Sequence, residues 1–258
     1  MSRFRKLSAL VLVWFALLFL LAPVGHTQLD RVLPPAEQAQ AGQALAAKWR
    51  DAVPEGNAEY RGALKIRNNE GRTETVPLTF KIIVSEPGWQ TIYEAGPAAK
   101  TPAQKLVIVH TAGKPNEYLF SAETKPRDPL GPPIRLANEQ ASMPFAGSDF
   151  SLADLGLEFF HWPTQRLIKT EMRAGQVTKV LESVNPHTNG YARVVTWLEK
   201  DSGAPILAEA YDRQDKLLKQ FSIKHIKKVK GQYQLQEMQI RDLKADSRTR
   251  IEYEFATE

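Results

Sequence analysis

Hydrophobic and polar positions along the chain follow two different periods. In PAEQAQAGQALAAKWRDA, Leu45 and Trp49 share one helical face, alanines are dense and Pro35 suits a first turn, which together predict a helix from about Pro35 to Ala52. From Glu59 onward, apolar and polar residues alternate as they do on β-strands with one buried face. The pattern therefore predicts one N-terminal helix followed by a mainly β chain.

The predicted strands are short and closely spaced. Before residue 123 they are the two arms of a hairpin around NNEG, followed by WQTIYEA, KLVIVHT and EYLF. After residue 163 come QRLIKTEMR, QVTKVLESV, YARVVTWLEK, PILAEAYDR, KLLKQFSIKHIKKV, QYQLQEMQIRDL and TRIEYEFAT, joined by short turns. Short connections allow only antiparallel pairing, so the seven later strands and four or five of the earlier ones predict about eleven strands in one antiparallel sheet. A sheet of that size must curl, split or close, and we expect an open, unclosed β-barrel.

One strand, ARVVTWLEK, is apolar on both of its faces. Val195 and Trp197 lie on one face, while Val194 and Leu198 lie on the other. A strand with one wet face would alternate, so we expect this part of the sheet to be covered on both sides. The helix and the segment 144–163 are the sizeable covers that the sequence offers.

The segment PFAGSDFSLADLGLEFFHWP, residues 144–163, separates the two sets of strands after a proline-rich connection, residues 123–144. Ser151 followed by Asp154 fits an N-cap ahead of a short helix, although Asp149 could cap instead. Two interpretations remain open: a connector whose aromatic residues fill the core, or a lid that covers the curved sheet and lines an apolar cavity. In the second, the candidate lining residues are Phe145, Phe150, Leu155, Phe159, Phe160, Trp162 and Trp197.

The N-terminus has a different character. Three basic residues precede an apolar run from Leu7 to Val24, and the small residues Gly25 and Thr27 follow it. This is the pattern of a secretory signal, so we predict export, with residues 1–27 as a signal peptide and 28–258 as one domain. An uncleaved membrane anchor is the alternative, because the run is long for a signal.

Charge and residue types exclude several classes of function. Three of the 34 basic residues lie in the predicted signal, so the mature chain has 31 against 29 acidic residues, and we expect no nucleic-acid partner. The absence of cysteine excludes thiol catalysis and thiolate metal sites. The five histidines lack metal-binding spacing, and neither a nucleophile elbow nor a phosphate loop is present. We therefore expect a protein that is not an enzyme and has neither a metal nor a cofactor.

A lysine-rich stretch, KHIKKVKG from Lys224 to Gly231, allows two interpretations. Such a cluster can bind phospholipid headgroups or an acidic partner. Lysines also protect hairpin ends and sheet edges against unwanted pairing, which is the more common role.

Three segments of the C-terminal half, in the order FAGSDFSLADL, TWLEKDSGAPILAEAYDRQDKLLKQFSI and IKKVKGQYQLQEMQIRDLKADSRTRIEYE, resemble the outer-membrane lipoprotein-sorting protein family. The similar branch consists of LolA-like proteins with a G-S-D-F-S/T-x-x-D-L segment. The residues that match this segment are Gly147, Ser148, Asp149, Phe150, Ser151, Asp154 and Leu155. The resemblance covers roughly residues 130–256. At the family's Y-D-x-x-G-K hairpin, Asp215 replaces the glycine.

This resemblance implies a LolA/LolB-like open barrel in the periplasm, with the N-terminal helix and a short helical lid over the sheet. It implies non-covalent binding of the acyl chain of a lipoprotein, or of another lipid, between sheet and lid, in lipoprotein sorting to the outer membrane. The alternative function is a periplasmic sensor or scaffold module that docks an inner- or outer-membrane partner or another protein.

Overall fold

The computed structural model describes residues 33–125, 128–187, 190–229 and 232–254. The predicted signal peptide, residues 1–27, lies outside these ranges. The predicted N-terminal helix is confirmed as α1, Pro35–Arg50, and it ends two residues before the expected Ala52. Within the described ranges, no helix is both long and apolar enough to cross a membrane.

The described residues form a single antiparallel sheet of thirteen strands. In chain order these are β1 (Ala58–Arg67), β2 (Thr73–Ser85), β3 (Gly88–Ala95), β4 (Gln104–Thr111), β5 (Glu117–Ala122), β6 (Ile134–Arg135), β7 (Thr164–Arg173), β8 (Gln176–Val184), β9 (Arg193–Glu199), β10 (Pro205–Tyr211), β11 (Leu217–Val229), β12 (Gln232–Asp242) and β13 (Ser247–Glu254). The spatial order is β6-β5-β4-β3-β2-β1-β13-β12-β11-β10-β9-β8-β7. Strands β6 and β7 are the two edges and do not pair, which confirms the open antiparallel barrel.

The strand count exceeds the expected eleven because of the first half of the chain. Strands β7 to β13 form the predicted seven-stranded meander. The first half contributes six strands, of which β6 has only two residues and lies in the proline-rich connection. A two-residue strand is too short for alternation to reveal it.

The topology explains why one connection covers the sheet. The chain starts at β1 in the middle, proceeds outward to the edge strand β6, and resumes at the opposite edge, β7. It then returns through the meander until β13 pairs with β1, with Leu64 opposite Ile251. The connection from β6 to β7 must therefore cross the whole sheet. It contains 3-10 helices at Asn138–Ser142 and Glu158–His161 and the short helix α2, Leu152–Leu155.

The core lies on the inner, concave face of the sheet, beneath this connection. Phe145, Phe150 and Leu152 of the crossing segment are almost fully buried in the main cluster against β1–β5 and β11–β13. Helix α1 packs on the β7–β9 side of the same face, where Leu45 and Phe160 share a cluster. Both covers thus lie on one face of the sheet.

Both faces of β9 are buried, as expected, but the outer face is covered neither by the helix nor by segment 144–163. Trp197 lies on the outer face, in a cluster with Val180 and Val195. Neighbouring side chains bury it: the Arg173 guanidinium lies 4.9 Å from its ring centroid, and its Nε1 donates to Glu171 Oε1 at 2.6 Å. Long polar side chains with apolar stems can cover apolar surface in place of a packed helix.

Candidate functional site

Residues 144–163, called the lid below, begin α2 with a reciprocal cap. Ser151 Oγ accepts from Asp154 N at 3.1 Å, and the Asp154 carboxylate accepts from Ser151 N at 2.8 Å. This capping box satisfies two backbone donors that a helix start leaves unpaired. The predicted Ser151 cap is confirmed, and Asp149 is free for another role.

Asp149 fastens the lid to the inner face of the sheet. Its carboxylate accepts from Thr249 Oγ1 at 2.7 Å and from Ser247 Oγ, both on β13. Its backbone N donates to Thr249 Oγ1 at 2.9 Å, and its carbonyl oxygen accepts from Lys219 Nζ of β11 at 2.6 Å. Hydrogen bonds with a charged partner are stronger than neutral ones, so Asp149 is the main polar attachment in this half of the lid.

Asp154 connects the cap to the sheet. Besides closing the capping box, its carboxylate accepts from Tyr191 Oη at 3.1 Å and lies 3.7 Å from Lys219 Nζ. Before the cap, Gly147 has a φ of +67°, a conformation that glycine adopts without strain, and Ser148 Oγ accepts from Phe150 N at 3.2 Å. The G-S-D-F-S-x-x-D-L residues thus shape the lid and fix its position.

A second attachment holds the other end of the lid. Glu158 accepts from Tyr118 Oη at 2.7 Å and from Asn116 Nδ2 at 3.1 Å, and Asn116 also donates to the carbonyl of Gly156 at 2.8 Å. Burial raises the pKa of Glu158, while these two donors oppose the rise. At Gly156 a Cβ would lie 2.4 Å from Tyr118 Oη, so glycine is required for this close approach.

An open cavity lies between the lid, the end of α1 and the inner face of the sheet, and its empty volume of about 920 Å³ includes space that is open to solvent. Most of its lining is aromatic or aliphatic, and we call it the main cavity. It is lined by Trp49, Arg50, Tyr60, Phe80, Trp89, Thr91, Tyr93, His110, Phe150, Asp154, Leu155, Gly156, Leu157, Phe160, His161, Phe221, Leu235, Met238 and Tyr253.

A smaller cavity, the side cavity, lies on the β9–β11 side of the lid, and its empty volume of about 500 Å³ includes space that is open to solvent. Phe159 lines it together with Val194 and Ala208. Leu157 and Asp154 of the lid and Phe221 of β11 line both cavities, so the two cavities are adjacent. Leu157 adopts the left-handed conformation, with a φ of +50°.

The structure brings together some of the predicted lining residues and separates others. Phe150, Leu155 and Phe160 line the main cavity, and Phe159 lines the side cavity. Phe145 is only 1% exposed and packs edge-on against Tyr93, with ring centroids 6.2 Å apart. It therefore belongs to the core and lines neither of the two cavities. Trp162 packs in a cluster with Val194 and Ala208 but lines neither of the two cavities. Trp197 lies on the outer face, away from both.

Sequence reasoning missed the part of the site that the strands contribute. Tyr60, Tyr93 and Tyr253 line the main cavity from β1, β3 and β13. Tyr93 Oη donates to the carbonyl of Leu155 in the lid at 3.4 Å, so it also touches the cover. Alternate residues of a strand point to the same face, so the sequence shows which residues share a face. It does not show which face is the inner one until one inward residue is known.

Two histidines line the main cavity and stay neutral near pH 7. The ring of His110 stacks on Trp89 with centroids 3.7 Å apart, and its Nε2 lies 3.1 Å from Thr91 Oγ1. Burial lowers the pKa of His110 to about 3 and that of His161 to about 4. Arg50, which also lines the main cavity, is paired with Asp51. In the described ranges, no group of three or more histidine or carboxylate side chains is placed to hold a metal ion.

Comparisons with known proteins agree with this architecture. The model of a family described as "Uncharacterized protein" matches residues 105–257, more than half of the chain. Similar solved structures include a putative outer membrane lipoprotein-sorting protein domain from Vibrio parahaemolyticus, with 21% identity and a TM-score of 0.69 over 84% of this chain and 92% of that one. A DUF1329 family protein from Desulfovibrio piger has 18% identity and a TM-score of 0.68 over 84% and 91%.

A third similar structure is a LolA superfamily protein from Nitrosomonas europaea, with 18% identity and a TM-score of 0.58 over 84% of this chain and 92% of that one. No curated protein matches the chain. At these identities, the likeness to solved structures shows a shared fold.

Proposed function

We propose that this chain, which belongs to the family whose model matches residues 105–257 and shares the fold of a LolA superfamily protein, binds a lipid or the acyl chain of a lipoprotein in the main cavity. The observation that carries the proposal is the cavity itself. It lies between sheet and lid, with aromatic rings on both sides and two neutral histidines in a mostly apolar lining. A space of this kind favours a hydrocarbon chain over a polar ligand.

Burial of hydrocarbon supplies enough free energy for tight binding. About fifteen methylenes at ~0.8 kcal/mol each give on the order of 12 kcal/mol before costs. Loss of motion on binding takes back several kcal/mol, on the order of half of that gain. No covalent step and no catalytic group are needed, so we infer a binding protein that is not an enzyme.

Loading and release require the lid to separate from the sheet, at least in part. The contacts that hold it are of two kinds: buried aromatic residues such as Phe150, and a small number of polar attachments at Asp149 and Glu158. The less buried part of such a lid, from Leu157 to Phe159, can shift between docked and open states at a smaller cost in free energy than separation of the buried part would require. We propose that the protein uses this property in the periplasm, in lipoprotein sorting to the outer membrane.

Leu157 offers a test that leaves the buried core of the lid in place. It lines both cavities, is only partly buried, and has the left-handed backbone conformation that aspartate tolerates better than leucine. Leu157→Asp therefore places a charge in the hydrocarbon site with little backbone cost. Leu243→Asp is the matched control, because Leu243 is 44% exposed and follows β12 at the far end of the strand.

The measurement is fluorescence titration of the mature protein with pyrene-labelled dodecanoate, followed by competition with an unlabelled triacylated lipopeptide. We expect tight, competable binding for the wild type and Leu243→Asp, and at least a tenfold weaker affinity for Leu157→Asp. Equal binding by both variants, or none by the wild type, would refute the cavity as the binding site. The second result would shift support to the alternative of a scaffold that docks a protein partner.

A further inference from the structure

Within the described residues, the hairpin formed by β11 and β12 extends beyond its paired neighbours β10 and β13. The pairing of β10 with β11 ends at Leu207 opposite Ser222. Within the described ranges, the pairing of β12 with β13 begins only at Glu237 opposite Glu252. The two strands nevertheless stay paired with each other as far as Val229 opposite Gln232. Residues 223–229 and 232–236 therefore form a two-stranded extension, called the arm below.

The arm carries a local excess of positive charge. The sequence has lysines at positions 224, 227 and 228 of the arm, and no aspartate or glutamate from residue 216 to 236. Lys224 and His225 are exposed. At the base of the arm, the carboxylate of Glu237 lies 3.5 Å from Arg250 Nε and 3.7 Å from His225 Nε2, so Arg250 already balances its charge. Since the mature chain as a whole is nearly neutral, this local excess of lysine is a distinct feature of the arm.

The arm also lies beside the mouth of the main cavity. Ile226, which is 43% exposed, is opposite Leu235, and Leu235 lines the cavity. Tyr253, near the end of β13, and Trp89, near the start of β3, line the cavity at this same end of the sheet. A surface that touched the arm would face the cavity opening.

We propose that the arm docks the protein onto a bilayer that contains anionic phospholipids and holds the mouth of the main cavity against that bilayer. Lysine clusters of this density bind anionic membranes through headgroup attraction. The exposed Ile226 among the lysines suits the boundary between headgroups and acyl chains. An acidic protein would satisfy the lysines but would gain little from an apolar residue beside an apolar cavity. This inference goes beyond the proposed function, because docking is measurable without any cargo.

The test is co-sedimentation of the mature protein with vesicles of phosphatidylcholine alone and of equimolar phosphatidylcholine and phosphatidylglycerol. The arm variant carries Lys224→Glu, Lys227→Glu and Lys228→Glu. Its charge-matched control carries Lys100→Glu, Lys216→Glu and Lys244→Glu, three exposed lysines in turns at the opposite end of the sheet. Both triple variants change the net charge equally, so a difference between them reports the location of the charge.

We expect the wild type and the control to bind the anionic vesicles and not the phosphatidylcholine vesicles, with binding that weakens as salt is raised. The arm variant should bind at least about tenfold more weakly. The proposal would be overturned if both triple variants lost vesicle binding equally, or if the wild type did not bind anionic vesicles at low salt. The latter result would point to an acidic protein as the partner of the arm.

Fluorescent fatty-acid binding separates this proposal from the function proposed above. The arm variant should bind pyrene-labelled dodecanoate as the wild type does, which also demonstrates that it is folded. Leu157→Asp should lose the fatty acid and still sediment with anionic vesicles. If Leu157→Asp lost vesicle binding as well, docking would require the cavity and the arm would not be an independent membrane site.

Discussion

Asp149 in the lid and Thr249 on β13 exchange two hydrogen bonds across 100 residues of sequence. Thr249 Oγ1 donates to the Asp149 carboxylate at 2.7 Å and accepts from the Asp149 backbone N at 2.9 Å. The hydroxyl thus fixes both the side chain and the backbone of one lid residue. Because β13 pairs with β1, where the two halves of the sheet meet, this contact ties the lid to the centre of the fold.

A double-mutant cycle tests that contact. We predict that Asp149→Ala and Thr249→Val each lower the free energy of unfolding by about 1–3 kcal/mol, since each leaves a partly buried polar partner unsatisfied. The double variant should lose less than the sum of the two. Urea denaturation measures all three, with Asp201→Ala, at an exposed turn, as a control expected to stay within about 0.5 kcal/mol of wild type. Strictly additive losses would contradict the coupling.

The same contact shows where sequence reasoning succeeds and where it stops. Ser151 and Asp154 are three residues apart, so local spacing was enough to predict the cap. The partners of Asp149 are 98 and 100 residues away, and no local pattern points to them. The family motif identified Asp149 as a site residue without revealing that its role is to anchor the lid.

The sequence also did not show which face of each strand lines the cavity. The antiparallel meander follows from short turns, and it was predicted correctly. Trp197 was predicted to line the cavity, but it lies on the outer face of β9, whereas Leu198 lies on the inner face. Which of these two faces is the inner one depends on where α1 packs. That choice is made by packing between distant segments, since Phe160 of the lid and Leu45 of α1 meet Leu198.

The crossing of α1 over β7 depends on Gly42. A Cβ at this position would lie 2.5 Å from Arg166 N and 2.6 Å from the carbonyl carbon of Gln165, both backbone atoms of β7. Helix propensity alone would make Gly42→Ala stabilising by about 0.5–1 kcal/mol. We predict the opposite sign, a loss of about 1–3 kcal/mol, because the helix must move away from the strand.

Urea denaturation shows whether Gly42→Ala raises or lowers the free energy of unfolding. Ala44→Gly, at an exposed position of the same helix, should lose about 1 kcal/mol through propensity alone and serves as the comparison. A stabilised Gly42→Ala variant would refute the close approach of α1 to β7.

Glu158 should make the stability of the fold depend on pH. Burial raises its pKa above the ordinary 4.5. The contribution of such a carboxyl is fully present below pH 4.5 and is lost as the pH rises through the folded pKa. Glu158→Gln cannot ionise, and its amide oxygen can still accept from Tyr118 and Asn116, which both donate to a single carboxylate oxygen in the wild type.

We therefore predict that Glu158→Gln gains stability relative to wild type as the pH rises above 4.5, and that the gain levels off above the folded pKa. Unfolding free energies measured by urea denaturation between pH 4 and 8 check this. A difference between the two proteins that does not change with pH would contradict the prediction.

His110 should make the stability of the fold depend on pH in the opposite sense to Glu158. Its pKa falls from 6.5 to about 3 on folding because it is buried. The stability it contributes is therefore complete above pH 6.5 and is lost as the pH falls toward 3. From the shift, the loss at pH 4 is on the order of 3 kcal/mol. His110→Gln should lose correspondingly less stability between pH 7 and 4, whatever its stability at pH 7.

Nuclear magnetic resonance follows the same group directly. The His110 ring protons should keep their neutral chemical shifts down to about pH 4. Titration of His110 near pH 6.5 would show that its ring is solvated and that the cavity wall at Trp89 is open.

Native mass spectrometry of the mature protein, purified from the periplasm without detergent, tests the central claim most directly. The account predicts an added mass that dissociates as a fatty acid, a phospholipid or an acylated peptide, and that is lost in Leu157→Asp but kept in Leu243→Asp. A bare polypeptide mass that persists after incubation with phospholipids and triacylated lipopeptides would contradict a lipid-binding cavity.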